Sequence, residues 1–212
     1  MSRFAKQERA DLCESFLDVG PDAPTLCAGW TTTDLATHLV IRDGRPDLIV
    51  GPMLPVVGGW AKGRVRAIKG QPWPDLVSAV ASGPPIYSPT SIPPVDEFVN
   101  HVEFFIHHED VRRAKEGWSP RVLPEEQRQA LWSALSRMAR LMFRKAAVGV
   151  ELVSPLGRVR AKPPTPAGEV VVEGEPAELL LAAYGRRPAA EVTSLGAEDA
   201  IHALWASKLG LA

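Results

Sequence analysis

Between Phe4 and Val19 apolar residues recur at helical spacing, with Ala5, Leu12, Phe16 and Val19 on one side of a helix that Gly20-Pro21 stops. A loop runs to Gly29-Trp30. Thr31-Thr32-Thr33-Asp34 then offers a hydroxyl cap with a carboxylate three residues on, a variant of the capping box. The helix it opens carries Leu35, His38, Leu39 and Arg42 and is expected to fade near Gly51-Pro52. Trp60 to Lys69 and Asp75 to Ala81 read as short helices. Five prolines between Gly83 and Pro94 make that stretch an extended, surface-running connection. Asp96 to Lys115 holds neither Gly nor Pro and reads as a helix ending at Gly117. Leu123-Pro124-Glu125-Glu126 starts another, with proline near its first turn and acids at its positive end. Its apolar stripe is Leu131, Ala134, Leu135, Met138, Leu141 and Met142.

Near Ala147 the period moves from 3.6 towards two. Val148, Val150 and Leu152 predict a strand, Ser154-Pro155-Leu156-Gly157 a turn, and Arg158 to Ala161 the returning hairpin partner. Glu169 to Glu173 is a further strand, Pro176 to Tyr184 a helix, the surroundings of Val192 a short strand, and Glu198 to Leu209 a last helix. The chain is therefore expected to be α+β, with a helical domain over 1–147 and a small α+β domain of order β-β-β-α-β-α over 148–212.

Charge narrows the functional classes. Twenty-four basic against 25 acidic side chains leave a formal charge of -1, without the basic surplus of a nucleic-acid binder. Lys62, Arg64, Arg66 and Lys69 are expected to line a solvated helix face. No apolar run approaches the roughly 20 residues that span a bilayer, so no membrane partner is expected. The mixed-charge start, Met1 to Arg9, lacks the apolar core of a signal peptide, which points to the cytoplasm. Cys13 and Cys27 have neither CxxC nor zinc-finger spacing and are read as reduced and buried.

Three of the five histidines crowd into Asn100-His101-Val102-Glu103-Phe104-Phe105-Ile106-His107-His108-Glu109-Asp110. Glu103 and His107, four apart, share one face of a helix, where a carboxylate and an imidazole can grip one ion. A third ligand from a neighbouring helix would complete a catalytic-type metal site with a position left for water or substrate. His38 is the candidate, since an unpaired imidazole beside Leu35 and Leu39 would be costly. The spacing alone leaves two alternatives open: Glu103 and His107 as an i,i+4 ion pair, and His38 as a satisfied core histidine. His101 and His108 are assigned to a second face, towards solvent or contacts behind the ligands. Glu109, Asp110, Arg112 and Arg113 are expected to form surface pairs.

The stretch Gly29-Trp30-Thr31-Thr32-Thr33-Asp34-Leu35-Ala36-Thr37-His38-Leu39 resembles the "GW...HL" motif of the mycothiol-dependent maleylpyruvate isomerase family, within the DinB-like group of metal-binding four-helix bundles. Glu103-Phe104-Phe105-Ile106-His107 is similar to its second motif, a Glu and a His four apart on the third bundle helix. Glu178-Leu179-Leu180-Leu181-Ala182-Ala183-Tyr184-Gly185-Arg186 resembles the "ELLL...GR" stretch of its small C-terminal domain.

The resemblance implies an N-terminal DinB-like four-helix bundle in which His38, Glu103 and His107 hold a divalent ion. Zinc is the first choice, with nickel or manganese as alternatives and water in the remaining positions. It further implies mycothiol as cosubstrate, an electrophilic small-molecule substrate, and Arg186 as the basic catalytic residue contributed by the C-terminal domain. A surface arginine at a helix C-terminus, favoured there by the dipole, is the competing role for Arg186. The reaction expected is thiol-dependent transfer or isomerisation; the rival is a non-catalytic metal-binding or sensing module. A carrier role for the C-terminal domain ranks behind both. The run from His107 to Ala114 departs from the isomerase itself and resembles a branch known only for metal binding, so the isomerase's substrate is not carried over. Asp34 has two candidate roles, an acceptor for the His38 imidazole and the helix cap, of which the cap is favoured. A homodimer is compatible with these features.

Overall fold

A computed structural model describes residues 3–45, 47–48, 58–84 and 100–210. The proline-rich connection, apart from its first residues, and the expected helix start at Asp96 lie outside the described residues. The chain divides into two compact units, Met1–Ser119 and Pro120–Ala212.

The first unit is helical: α1 (Arg3–Val19), α2 (Thr32–Gly44), α3 (Gly58–Lys69), α4 (Trp73–Ser82) and α5 (His101–Arg112). The capping box that opens α2 is present. The Thr31 hydroxyl accepts from the Asp34 backbone N–H, and the Asp34 carboxylate accepts from that of Thr31. At its other end α2 stops at Gly44, short of the expected fade, and the Arg45 N–H closes it onto the Ile41 carbonyl. α1 packs along α5 and against α4, while α2 packs against α3 and α4. Leu12 and Phe16 of α1, Leu35 and Leu39 of α2, Leu76, Val77 and Val80 of α4, and Phe104 and Val111 of α5 share one core. The basic residues of α3 are exposed as expected, and Lys69 forms an ion pair with Asp34.

α5 is unusual for its surroundings rather than its length. Every residue from His101 to Val111 except Glu103 is buried, so its polar side chains must find partners inside the unit. That overturns the expected surface pairs. Glu109 and Arg113 are ion-paired with side chains each 1% exposed, and Arg112 reaches the same carboxylate at 3.0 Å. The Arg113 guanidinium also lies over the Trp118 ring, 4.5 Å from its centroid. His101 and His108 do not face solvent either. His101 stacks on Phe4 at 5.3 Å. His108 bridges to α1, its Nδ1 2.9 Å from Glu8 Oε2 and its Nε2 3.2 Å from Ser15 Oγ.

The second unit contains α6 (Glu125–Met142), β1 (Gly149–Ser154), β2 (Gly157–Lys162), β3 (Glu169–Glu173), α7 (Pro176–Ala183), a single turn at Arg187–Ala189, β4 (Thr193–Leu195) and α8 (Glu198–Ala206). The β-β-β-α-β-α order follows the expectation from the sequence. The sheet order is β2-β1-β3-β4, with β1–β3 parallel and the outer pairs antiparallel. Val150 and Leu152 of β1 and Val170 and Val172 of β3 point inward at period two and are buried.

The division at 119/120 lies upstream of the 147/148 boundary expected from the change of period, because α6 packs on α7 and β2. Its inward stripe is Leu131, Ala134, Leu135, Ala139 and Met142, whereas Leu141, counted in the expected stripe, is 51% exposed.

Candidate metal centre

Three segments of the helical unit converge at the site. α2 supplies His38 and, one turn later, Arg42; α5 supplies Glu103, His107 and Asp110; and the loop between α1 and α2 supplies Cys27 and Trp30. The loop is held down at three points. The Leu26 N–H donates to the Asp110 carbonyl at 3.0 Å, the Thr32 N–H to the Ala23 carbonyl at 2.9 Å, and the Thr32 hydroxyl to the Gly20 carbonyl at 2.6 Å. A residue of the loop thus has a fixed address against α5.

The sequence candidates His38, Glu103 and His107 come together. His38 Nε2 lies 3.2 Å and His107 Nε2 3.3 Å from the same oxygen, Glu103 Oε1. The two imidazole rings meet edge to face with centroids 5.4 Å apart. One donor atom from each of the three lies within 4.8 Å of the others. Exposure falls across the group, from 36% at the His38 side chain through 23% at Glu103 to 10% at His107, so the pocket opens on the His38 side. Trp30 borders that side, its ring 5.4 Å from His38.

Arg42 and Cys27, not singled out for the site, and Asp110, a candidate fourth ligand by sequence, complete its surroundings. Arg42 Nε stands 3.3 Å from Glu103 Oε1, and its Nη1 donates to Asn100 Oδ1 at 2.7 Å. Behind His107, Nδ1 is 2.9 Å from Asp110 Oδ2, which also accepts from the Cys27 thiol at 3.2 Å. Cys27, His107 and Asp110 form a second cluster able to hold an ion, sharing His107 with the first. Among the described residues neither cluster includes His101, His108 or His202. Arg42 is four residues from His38 and Asp110 three from His107, spacings readable as same-face neighbours. Cys27 has no such signal, since only the folded loop brings it to Asp110.

Electrostatics follow from these contacts. Burial by itself would raise the Glu103 carboxyl. Hydrogen bonds with His107 and His38 and the charges of His107 and Arg42 outweigh it, holding the group well below the carboxylate range. Burial would lower His107, but its bonds to Asp110, Cys27 and Glu103 outweigh that and hold the imidazole well above its ordinary value.

Two imidazole nitrogens and one carboxylate oxygen, close and convergent, are a donor set that suits zinc, nickel or manganese. Three protein donors leave positions for water or a substrate atom. The residues present therefore fit a divalent ion.

Asp34, the other weighed candidate near His38, is occupied as the helix cap and by Lys69. Arg186, in the second unit, is half-buried just after α7, and its Nη1 donates to the Tyr184 carbonyl at 2.7 Å. Among the described residues no helix is long and apolar enough to cross a membrane.

No family model and no curated protein sequence matches the chain. Among solved structures it is similar to a histidine-to-alanine mutant of the mycothiol-dependent maleylpyruvate isomerase, at 18% identity over 90% of each chain with a TM-score of 0.58. At that identity the likeness establishes a fold related to that of the isomerase.

Proposed function

We propose that His38, Glu103 and His107 bind a divalent metal ion, zinc first, and that the protein is a metal-dependent enzyme using a low-molecular-weight thiol in a transfer or isomerisation. The observation that carries the metal claim is the convergence of both Nε2 atoms on Glu103 Oε1 from two different helices. The fold likeness to a mycothiol-dependent isomerase supports mycothiol as the thiol and catalysis as the role. It also supports a DinB-like four-helix bundle as the frame of the helical unit.

When bound, a divalent ion supplies Lewis acidity and brings a coordinated thiol below its free pKa of about 8.5. The protein's own groups do the rest. His38 and His107 would each hold the ion through Nε2, and Glu103 through a carboxylate oxygen. Arg42, touching the same oxygen, fixes the Glu103 rotamer and offsets its charge. Trp30 borders His38 on the open side, the two ring centroids 5.4 Å apart. The family resemblance supports Arg186, or one of the basic residues of α3, as the cation for an anionic, electrophilic substrate. Location in the cytoplasm, where such thiols reside, belongs to the same proposal.

A second reading rests on the Cys27–His107–Asp110 cluster. An ion held by that thiol, imidazole and carboxylate in place of the first group would make the protein a metal-binding or sensing module. Cobalt-loaded protein distinguishes the two. Under the enzyme reading, added mycothiol brings in a thiolate-to-cobalt charge-transfer band that His107→Ala abolishes and Arg186→Ala retains while turnover falls. No spectral response to mycothiol or to a panel of other small thiols would refute the thiol-dependent reading.

A further inference from the structure

We infer that Asp110 is a positioning residue for the metal pocket, holding His107 with its Nε2 lone pair turned towards His38 and Glu103, and that the Cys27 thiol holds Asp110. The inference rests on His38, Glu103 and His107 being the ligands, and it extends that claim to two residues outside the ligand set.

The geometry is that of a relay in three steps. Asp110 is fully buried, and its Oδ2 faces His107 Nδ1 at 2.9 Å. An ionised carboxylate is acceptor-only, so it selects the imidazole in which Nδ1 carries the proton. The remaining nitrogen, Nε2, is then the one that would give its lone pair to an ion on losing its proton, and it is the atom placed 3.3 Å from Glu103 Oε1. Spacing enforces the arrangement. Residues three apart on α5 are neighbours on one face, so the contact needs no backbone adjustment.

Behind the carboxylate stands Cys27. Its Sγ is 3.2 Å from the same Oδ2, and the loop carrying it is pinned to α5 by the Leu26 N–H to Asp110 carbonyl bond at 3.0 Å. The thiol is thus an S–H donor that keeps the buried Oδ2 in place. A thiol on an inner ligand would instead have to turn from Asp110 towards a metal. The Nδ1 edge is closed by a carboxylate that is 0% exposed, while the Nε2 edge faces the open side of the pocket. The open edge is where an exchangeable ion enters.

The test is zinc affinity, measured on the full chain by competition with a chromophoric chelator. Loss of a carboxylate behind a metal-bound histidine costs roughly 10–100-fold in affinity, and Asp110→Asn is expected to fall in that range. Cys27→Ser, which keeps a donor, stays near wild type, and Cys27→Ala loses a few-fold. In the zinc-loaded wild type, NMR shows a hydrogen-bonded His107 Nδ1–H at low field that Asp110→Asn shifts or removes. A merely structural carboxylate would not move that signal. Should Asp110→Asn fail to fold, the wild-type signal decides: zinc on Nδ1 with the proton on Nε2 overturns the inference. So does Asp110→Asn binding zinc within two-fold of wild type. A Cys27-dependent thiolate charge-transfer band in cobalt-loaded protein without added thiol also overturns it, by placing Cys27 on the ion. Wild type that binds no zinc removes the metal proposal and this one together, whereas wild type and Asp110→Asn binding equally removes this one alone.

Discussion

Asp43→Ala is expected to destabilise the helical unit by about 3 kcal/mol, because it strands a buried cation, and breaking a buried pair from one side costs roughly 3–5 kcal/mol. Arg9 and Asp43 pair at 2.7 Å with side chains 4% and 6% exposed. Arg9 Nη1 also donates to the Val80 carbonyl at 2.7 Å, and its guanidinium lies 4.0 Å from the Phe104 ring centroid. One side chain of α1 thereby ties α2, α4 and α5 together. The lower end of the range applies, because the carbonyl and ring remain after Asp43 is gone and a cation over a ring retains about 0.5–2 kcal/mol.

The converse change should cost less. Among the described residues Arg9 Nε and Nη2 have no hydrogen-bond partner. Arg9→Met removes those two donors, each penalised by roughly 1–3 kcal/mol. It leaves Asp43 with Arg42 at 3.2 Å. A loss below about 1.5 kcal/mol is expected, since Asp43 keeps Arg42 as counter-charge and the penalty of the two unpaired donors disappears. The double variant Arg9→Met/Asp43→Leu should resemble Arg9→Met alone. Urea titrations followed by circular dichroism give the free energies. For a chain of this size calorimetry should show the Asp43→Ala midpoint lower by about 6–12 °C, at roughly 2–4 °C per kcal/mol. Equal losses from the two single variants, or less than about 1 kcal/mol for Asp43→Ala, would refute the stranded-charge account.

Three further outcomes are expected. A Cβ on Gly149 would stand 2.6 Å from Pro164 Cα and 2.9 Å from the Pro163 oxygen, backbone atoms that cannot move aside cheaply. Gly149→Ala should therefore cost about 1–3 kcal/mol in the second unit, and an unchanged melting midpoint would contradict the close approach. Burial, opposed by Arg9, pushes the Cys13 thiol up to about 11. A disulfide reagent at pH 8 should thus label Cys27 and spare Cys13 until denaturant is added, and equal rates on native protein would be inconsistent with this. In the metal-free protein, the stability contributed by His107 is complete below its ordinary value of 6.5 and is lost as pH climbs through its raised folded value. That from Glu103 is present above 4.5 and is lost as pH falls through its depressed folded value. The melting midpoint should fall from pH 6 towards pH 9, and His107→Gln should flatten that fall. Metal affinity should rise over the same interval, because the ion competes with the Nε2 proton. A flat wild-type profile in calorimetry would refute the pairing.

The elements of the chain were largely legible because their signals are local. Gly20-Pro21 ends α1, Thr31 and Asp34 cap α2, alternating Val150 and Leu152 mark β1, and the valine run Val170-Val171-Val172 marks β3. Burial along α5 was not legible. His108, Glu109, Asp110 and Arg113 read as surface by polarity, yet α5 lies among other segments of its unit, and each charge is met by α1, the α1–α2 loop or its own helix. Glu103 and His107 were legible as a pair by their spacing of four. His38 joined them through the motif resemblance, since nothing local to α2 says which side of it meets α5. Cys27 was out of reach, as the contact depends on the course of a loop pinned through backbone atoms. The affiliation of α6 was hidden too, because an apolar stripe tells that a helix packs and not on which neighbour.

The central claim is that His38, Glu103 and His107 together hold one divalent ion. The most direct measurement is metal content and zinc affinity of purified wild type beside His38→Ala, Glu103→Gln, His107→Ala and, as control, His202→Ala. Wild type and His202→Ala should bind close to one equivalent, and the other three should lose it while remaining folded. Folded wild type that cannot be loaded with zinc, nickel or manganese, or equal retention in all four variants, would contradict it.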